Sequence, residues 1–254
     1  METITSITNT KMQFVKKLSD KKNRKESGLF VVEGGNIIKD LPDNIVVDML
    51  IAQENKLANF DKICERYADK LIVVNEKVMT SLSDTVTPCG LLAVLQIPSK
   101  EFVDKGDCVI LDGVADPGNF GAVIRTCVAC GIENIFAVNC VDWTSPKVVR
   151  SSMGGIFRVN IIQSDYTQIA ELLHNYTIIA LDMAGKNIFE YQRDKSKQFA
   201  LVVGNEANGL SQEMRQMRNE LVALPMIGDI ESLNAAVSAS VGLYQLVFGD
   251  QTKK

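Results

Sequence analysis

Three short stretches carry side chains that core packing alone does not call for. The first is Asp116-Pro117-Gly118-Asn119-Phe120-Gly121, followed by Arg125 and Thr126. Asp116 suits a helix N-cap and Pro117 the first helical position. Asn119 and Arg125 exceed what a helix start needs, because a guanidinium one and a half turns in can reach an anionic group. The second is Gly204-Asn205-Glu206-Ala207-Asn208-Gly209, which ends an apolar run. It lacks the middle glycine of GxGxxG and the Lys-Ser/Thr of a phosphate loop. Glu206 would repel a pyrophosphate, so the loop suits a ligand with hydroxyls or a positive charge. The third runs from Leu224-Pro225-Met226-Ile227-Gly228 to Ser232-Leu233-Asn234 and enters a long helix. Ser232 or Asn234 can cap that helix. The small residues after it let another backbone, or another subunit, come close.

The elements that would position these stretches alternate between strand and helix. Strands are expected at 108–112, 132–138, 157–162, 176–183, 199–204 and 221–225, with helices at 116–131, 145–154, 165–175, 211–217 and 232–249. Such alternation predicts a mainly parallel sheet covered on both faces, with ligands at the carboxyl ends of its strands. Upstream, strands at 29–32, 44–52, 70–74 and 90–97 and helical stretches at 9–19, 54–66 and 76–82 suggest a smaller α/β unit. Pro98 to Asp107, with mixed charge and no apolar period, reads as a linker. The expected division is therefore 1–97, a linker at 98–106, and 107–254.

The chain of 254 residues is 46% apolar and 23% charged, with a net charge of −4. That is an ordinary globular composition. No apolar run suits a bilayer span and the N-terminus has no signal-peptide core, so a cytoplasmic protein is expected. The six cysteines read as reduced thiols; Cys127 and Cys130 form a lone CxxC in a helical pattern, without the further ligands a structural zinc needs, and no metal is expected. The single histidine, His174, has no nucleophile-elbow sequence to serve. Charge is uneven: Lys16, Lys17, Lys21, Lys22, Arg24 and Lys25 cluster near the start with Lys11, against Asp20 alone between 11 and 25. Such a cluster holds phosphates or forms a solvated basic helix.

In order and spacing, Asn119-Phe120-Gly121…Arg125-Thr126, Gly204-Asn205-Glu206-Ala207-Asn208-Gly209 and Pro225-Met226-Ile227-Gly228…Ser232-Leu233-Asn234 resemble the three motifs of the SpoU (TrmH-type) RNA ribose 2′-O-methyltransferases of the SPOUT superfamily. Arg24 to Gly34 resembles the start of the ribosomal-protein-like RNA-binding domain of many members. The resemblance implies an α/β catalytic domain with a deep trefoil knot, a homodimer, and S-adenosylmethionine as cofactor. It assigns catalysis to Arg125, Asn119, Glu206, Ser232 and Asn234, and cofactor contacts to Gly204, Leu224, Met226, Gly228 and Leu233. Glu206 would face the sulfonium or fix the Asn119 loop, and Arg125 would act as base or as orienting group. The basic cluster then tips toward RNA, ribosomal before transfer RNA. A non-catalytic assembly factor is the competing class. A nicotinamide dehydrogenase is disfavoured by the missing GxGxxG. The family's Val-Ser-Val-Ala after the third motif is here Ala235-Ala236-Val237-Ser238.

Overall fold

The structure is a computed structural model and describes residues 2–99 and 101–249. The chain divides into two compact units, Met1–Ser99 with Thr144–Phe157, and Lys100–Trp143 with Arg158–Lys254. This departs from a division into two contiguous pieces: residues 144–157 group with the first unit.

The first unit runs β1 (Glu2–Ile4), α1 (Thr10–Lys17), α2 (Lys21–Ser27), β2 (Leu29–Glu33), α3 (Gly35–Lys39), β3 (Val47–Gln53), α4 (Asp61–Arg66), β4 (Leu71–Val74), α5 (Glu76–Leu82) and β5 (Leu91–Gln96). Its sheet has the order β1-β4-β3-β5-β2, with β5 antiparallel to both neighbours. Asn9 caps α1 and Asp20 caps α2, each accepting from the first free N–H groups. Met12, Val15 and Leu18 then fall on one face and pack with Ile51, Leu92 and Val94. The cations left on the other faces of α1 and α2 point to solvent.

The second unit contains β6 (Cys108–Asp112), α6 (Pro117–Ala129) and β7 (Asn134–Val138). The chain then visits the first unit with α7 (Pro146–Ser151), which packs on β2, and returns as β8 (Asn160–Gln163), α8 (Tyr166–Leu172), β9 (Thr177–Asn187), β10 (Phe199–Gly204), α9 (Gln212–Met217), β11 (Glu220–Ala223) and α10 (Ala235–Phe248). Its six strands lie in the order β11-β9-β10-β6-β7-β8 and every pair is parallel. β6 and β7 are buried along their whole length, which is why they read as unbroken apolar runs.

Two features of this sheet place the three stretches together. β10 pairs with β6 so that Gly204 lies opposite Asp112, and their carboxyl ends open side by side. At the edge, the β9–β11 register shifts between Leu221 and Val222. There a Cβ on Gly185 would lie 2.5 Å from the Val222 backbone, so glycine is obligatory. From this edge the chain crosses back to α10, which packs on α6, β9 and β10.

Candidate active site

Asn119 sits in the first turn of α6, 8% exposed. Its amide Nδ2 donates to Glu206 Oε1 at 2.8 Å, and its Oδ1 accepts from Asn234 Nδ2 at 2.8 Å. Asn234 Oδ1 in turn accepts from the N–H groups of Ala236 and Val237 as the N-cap of α10. Each amide has one orientation that satisfies these partners, so the chain of bonds is directional. It runs from the carboxylate in the second stretch, through the asparagine of the first, to the helix start of the third. Glu206 also accepts from the N–H groups of Ala115 and Asp116. Burial pushes its carboxyl up, but the bonds from Asn119 and from the backbone N–H groups outweigh it and hold it below the usual carboxylate range.

The loop that presents Glu206 is closed by its own backbone. Asn205 and Gly209 exchange both N–H···O bonds at 2.9 Å, and Asn205 Oδ1 accepts from Ala207 and Asn208 N–H. A Cβ on Gly204 would lie 2.6 Å from the Gly209 carbonyl carbon. The glycine is thus demanded by the loop's closure, a requirement independent of any ligand. Both ends of the loop hang from the tip of β6. Gly113 O accepts from Asn205 Nδ2 at 2.7 Å, and Asp112, 2% exposed, accepts from Ser211 N–H and from the Tyr166 hydroxyl.

Between this loop and the 224–235 segment lies a cavity of about 510 Å³. Gly204, Glu206, Leu224, Met226, Ser232, Leu233 and Asn234 line it, as do Asn205, Ser238 and the Leu181–Met183 part of β9. Gly228 stands apart: nothing lies within 4 Å of where its Cβ would be, and it does not line the cavity. An adjoining groove of about 560 Å³ runs between α6 and α10 and contains Asn119, Arg125 and Asn234. Arg125 is exposed, and its side chain makes no hydrogen bond or ion pair with a described residue. Asn234 lines both spaces, so it forms part of the wall between them. Thr126 and Ser240, which share a 2.7 Å hydrogen bond, tie the two helices along the groove.

Residues 107–244 match the SpoU rRNA Methylase family. The chain belongs to that family. Its residues 9–93, within the first unit, match the MRM3-like substrate binding domain. Among SpoU relatives, the chain is 28% identical to the 23S rRNA (guanosine(2553)-2′-O)-methyltransferase RlmP of Bacillus subtilis, over 97% of this chain and 99% of that one. It is 26% identical to the 23S rRNA (guanosine-2′-O-)-methyltransferase RlmB of Shewanella oneidensis, over 87% and 95%. The structure of an AdoMet-bound rRNA methyltransferase from Sinorhizobium meliloti superposes with a TM-score of 0.87 at 25% identity, covering 100% of this chain and 98% of that one.

The structure therefore gathers Asn119, Glu206, Asn234, Ser232 and the cavity residues at one place, with Arg125 on the far side of the asparagines. The sequence analysis gave no role to Asp182, Asp112 or Glu231, and quoted Asn205 only as part of the second motif. Asp182 was legible only as part of the strand at 176–183, and Asp112 only as the end of the strand at 108–112. In the first unit, Lys16, Lys17, Lys21, Lys22 and Lys25 are exposed on α1 and α2. Arg24 departs from the expected phosphate role. It is 3% exposed, and its guanidinium donates to the carbonyls of Leu18 and Ser19 and to Thr144 Oγ1. Its position on the inner face of α2 turns a cation into the fastener between α1 and α2. Among the described residues there is no group of side chains able to hold a metal ion, and no helix long and apolar enough to cross a membrane.

Proposed function

We propose that this protein transfers a methyl group from S-adenosylmethionine to a ribose 2′-hydroxyl of ribosomal RNA. The observation that carries the proposal is the directional chain Glu206–Asn119–Asn234, which joins all three SpoU motifs between a ligand-sized cavity and a groove with an unpaired guanidinium. The cavity's volume suits a compact nucleoside cofactor. Its lining of apolar side chains, loop backbone and carboxylates suits an adenosine joined to a cationic group. Gly204, Leu224, Met226 and Leu233 would hold it; Gly228 would act through the shape of its loop.

S-adenosylmethionine, when bound, supplies a methyl group on a positively charged sulfur. The protein must bring a ribose oxygen in line with that methyl, so that the O–CH3 bond forms as the S–CH3 bond breaks and the neutral thioether leaves, and must stabilise the oxygen as its proton passes to solvent. Arg125, which lines the adjoining groove, would do so. A guanidinium keeps its proton, so it orients a phosphate and steadies the developing alkoxide rather than serving as base. Asn119 and Asn234 fix the wall between the two spaces, Glu206 locks that wall to the cofactor loop, and Ser232 lies at the cavity side of the same wall. The exposed lysines of α1 and α2 would hold the RNA backbone.

The active form is proposed to be a homodimer with the family's knotted path, working in the cytoplasm. Val237, 47% exposed, and Tyr244, 50% exposed, lie on the groove face of α10 together with Val241. A second copy over that face would cover apolar side chains and close the groove on Arg125. The chain's return from the edge strand β11 to the central α10 supports the knotted path.

The test is methyl transfer from labelled S-adenosylmethionine to unmodified ribosomal and transfer RNA, with nucleoside analysis of the product. Label as a 2′-O-methyl nucleoside in ribosomal RNA is expected. Label in transfer RNA alone would overturn the substrate, and no label in either, despite cofactor binding, would overturn the activity.

A further inference from the structure

Every charged side chain that lines the cavity is acidic: Asp182, Glu206 and Glu231. Among the described residues, no lysine or arginine lines it. The three carboxylates are not equivalent. Asp182 is balanced by Arg215 of α9, whose Nη1 lies 2.9 Å from its Oδ2. Glu206 is engaged by Asn119 and by the N–H groups of Ala115 and Asp116. Glu231 is exposed and makes no hydrogen bond or ion pair with a described residue, though it lines the cavity. The positive feature nearby is the start of α10, where Asn234 already accepts from two of the free N–H groups. The cavity is therefore biased toward cations, and Glu231 is its one carboxylate free to respond to a ligand.

We infer that Glu231 gives the site a charge preference for the methylsulfonium cofactor over its thioether product. This rests on the proposed cofactor. S-adenosylmethionine carries a sulfonium and an ammonium against one carboxylate, for a net charge of +1. S-adenosylhomocysteine has lost the methyl group and the sulfonium charge, and is net neutral. The two are otherwise nearly the same shape, so packing discriminates poorly between them. A free carboxylate in the wall attracts one and is indifferent to the other. Because Glu231 is solvent-exposed, the effect is modest and sensitive to salt. Its consequence is that the spent cofactor is held less tightly than the fresh one by that same modest factor.

The experiment is calorimetric titration of the full-length protein with S-adenosylmethionine and, separately, S-adenosylhomocysteine, at low and high salt. Glu231→Gln should weaken S-adenosylmethionine about two- to fivefold at low salt and leave S-adenosylhomocysteine unchanged. Glu231→Lys should move the ratio of the two affinities further in the same direction, and high salt should shrink both shifts. Sinefungin, with a protonated amine in place of the sulfonium, should follow S-adenosylmethionine. Asp229→Asn, an exposed neighbour outside the cavity, serves as control and should leave the ratio alone. A ratio unchanged in both Glu231 variants at low salt would overturn the inference while leaving the cofactor assignment intact. Absence of binding of either ligand to the unaltered protein would overturn both.

Discussion

Asn119→Asp changes one NH₂ group to oxygen at constant shape, and the geometry makes it worse than deletion. Asn119 Nδ2 now donates to Glu206 Oε1 at 2.8 Å. In the variant two carboxylates would meet at that spacing. Two unit charges there repel by roughly 1.5 kcal/mol in water and about 6 kcal/mol at an effective dielectric near 20, before the side chains move apart. Asn119→Ala instead forfeits a charge-assisted bond and a neutral one, roughly 2–4 kcal/mol at most, and leaves Glu206 its two backbone donors. The pH dependence should invert. In the unaltered protein Glu206 titrates below the usual carboxylate range, so its bonds are intact above that range and are lost only as pH falls through the lowered value. In Asn119→Asp the pair shares a proton, one of its two apparent pKa values rises, and the clasp is whole only below it. The assay is calorimetric binding of S-adenosylmethionine between pH 5 and pH 8. The variant should bind at least tenfold more weakly than Asn119→Ala at pH 8 and recover as pH falls, whereas the unaltered protein stays level. Equal affinity of the two variants at pH 8, or no recovery at low pH, would refute the directional chain of bonds.

Other outcomes follow from the same geometry. Asp112→Ala leaves Ser211 N–H and the Tyr166 hydroxyl without their buried acceptor and should cost roughly 2–4 kcal/mol in denaturant unfolding; Asp112→Asn, which can still accept from Ser211, should cost less. Cys89 is the exposed thiol, whereas Cys127 is buried with its pKa pushed far up by desolvation and Cys140 is pushed up to about 11 by burial. One thiol should therefore react quickly with a disulfide reagent at neutral pH, and Cys89→Ser should remove that fast phase. Under the proposed homodimer, Tyr244→Glu on the exposed face of α10 should leave the protein sedimenting as a monomer and lower methyl transfer with it.

The parts that were legible in sequence are those where one local force dominates. Cys108–Asp112 and Phe199–Gly204 were expected within their observed bounds, because buried parallel strands must be apolar on both faces. Asp116 and Pro117 announced α6 through capping chemistry. Other elements had no such signal. β1 has too few residues to show alternation, and α2 was hidden in a run of charge until Asp20 proved to be its cap. β9 continues to Asn187, beyond the expected end at 183, because Gly185 admits the β11 backbone. Residue types and spacing made three motifs legible, and only the family resemblance joined them into one site. Their meeting depends on strand order, which sets Gly204 beside Asp112, and on the return of α10 to α6. Arg24 shows the opposite failure: composition counted its charge with the lysines, while helical phase turned it inward.

The proposed division of labour puts the cofactor on one side of the asparagine wall and Arg125 on the other. It is tested most directly by Arg125→Ala, comparing S-adenosylmethionine binding with single-turnover methyl transfer to ribosomal RNA. Arg125 lies in the α6–α10 groove and does not line the cofactor cavity. Cofactor affinity should stay within about threefold, while the transfer rate falls roughly 10²–10³-fold, the range for losing a charge stabiliser at the reacting oxygen. Loss of cofactor binding in parallel with the rate, or a rate that survives, would refute that division of labour.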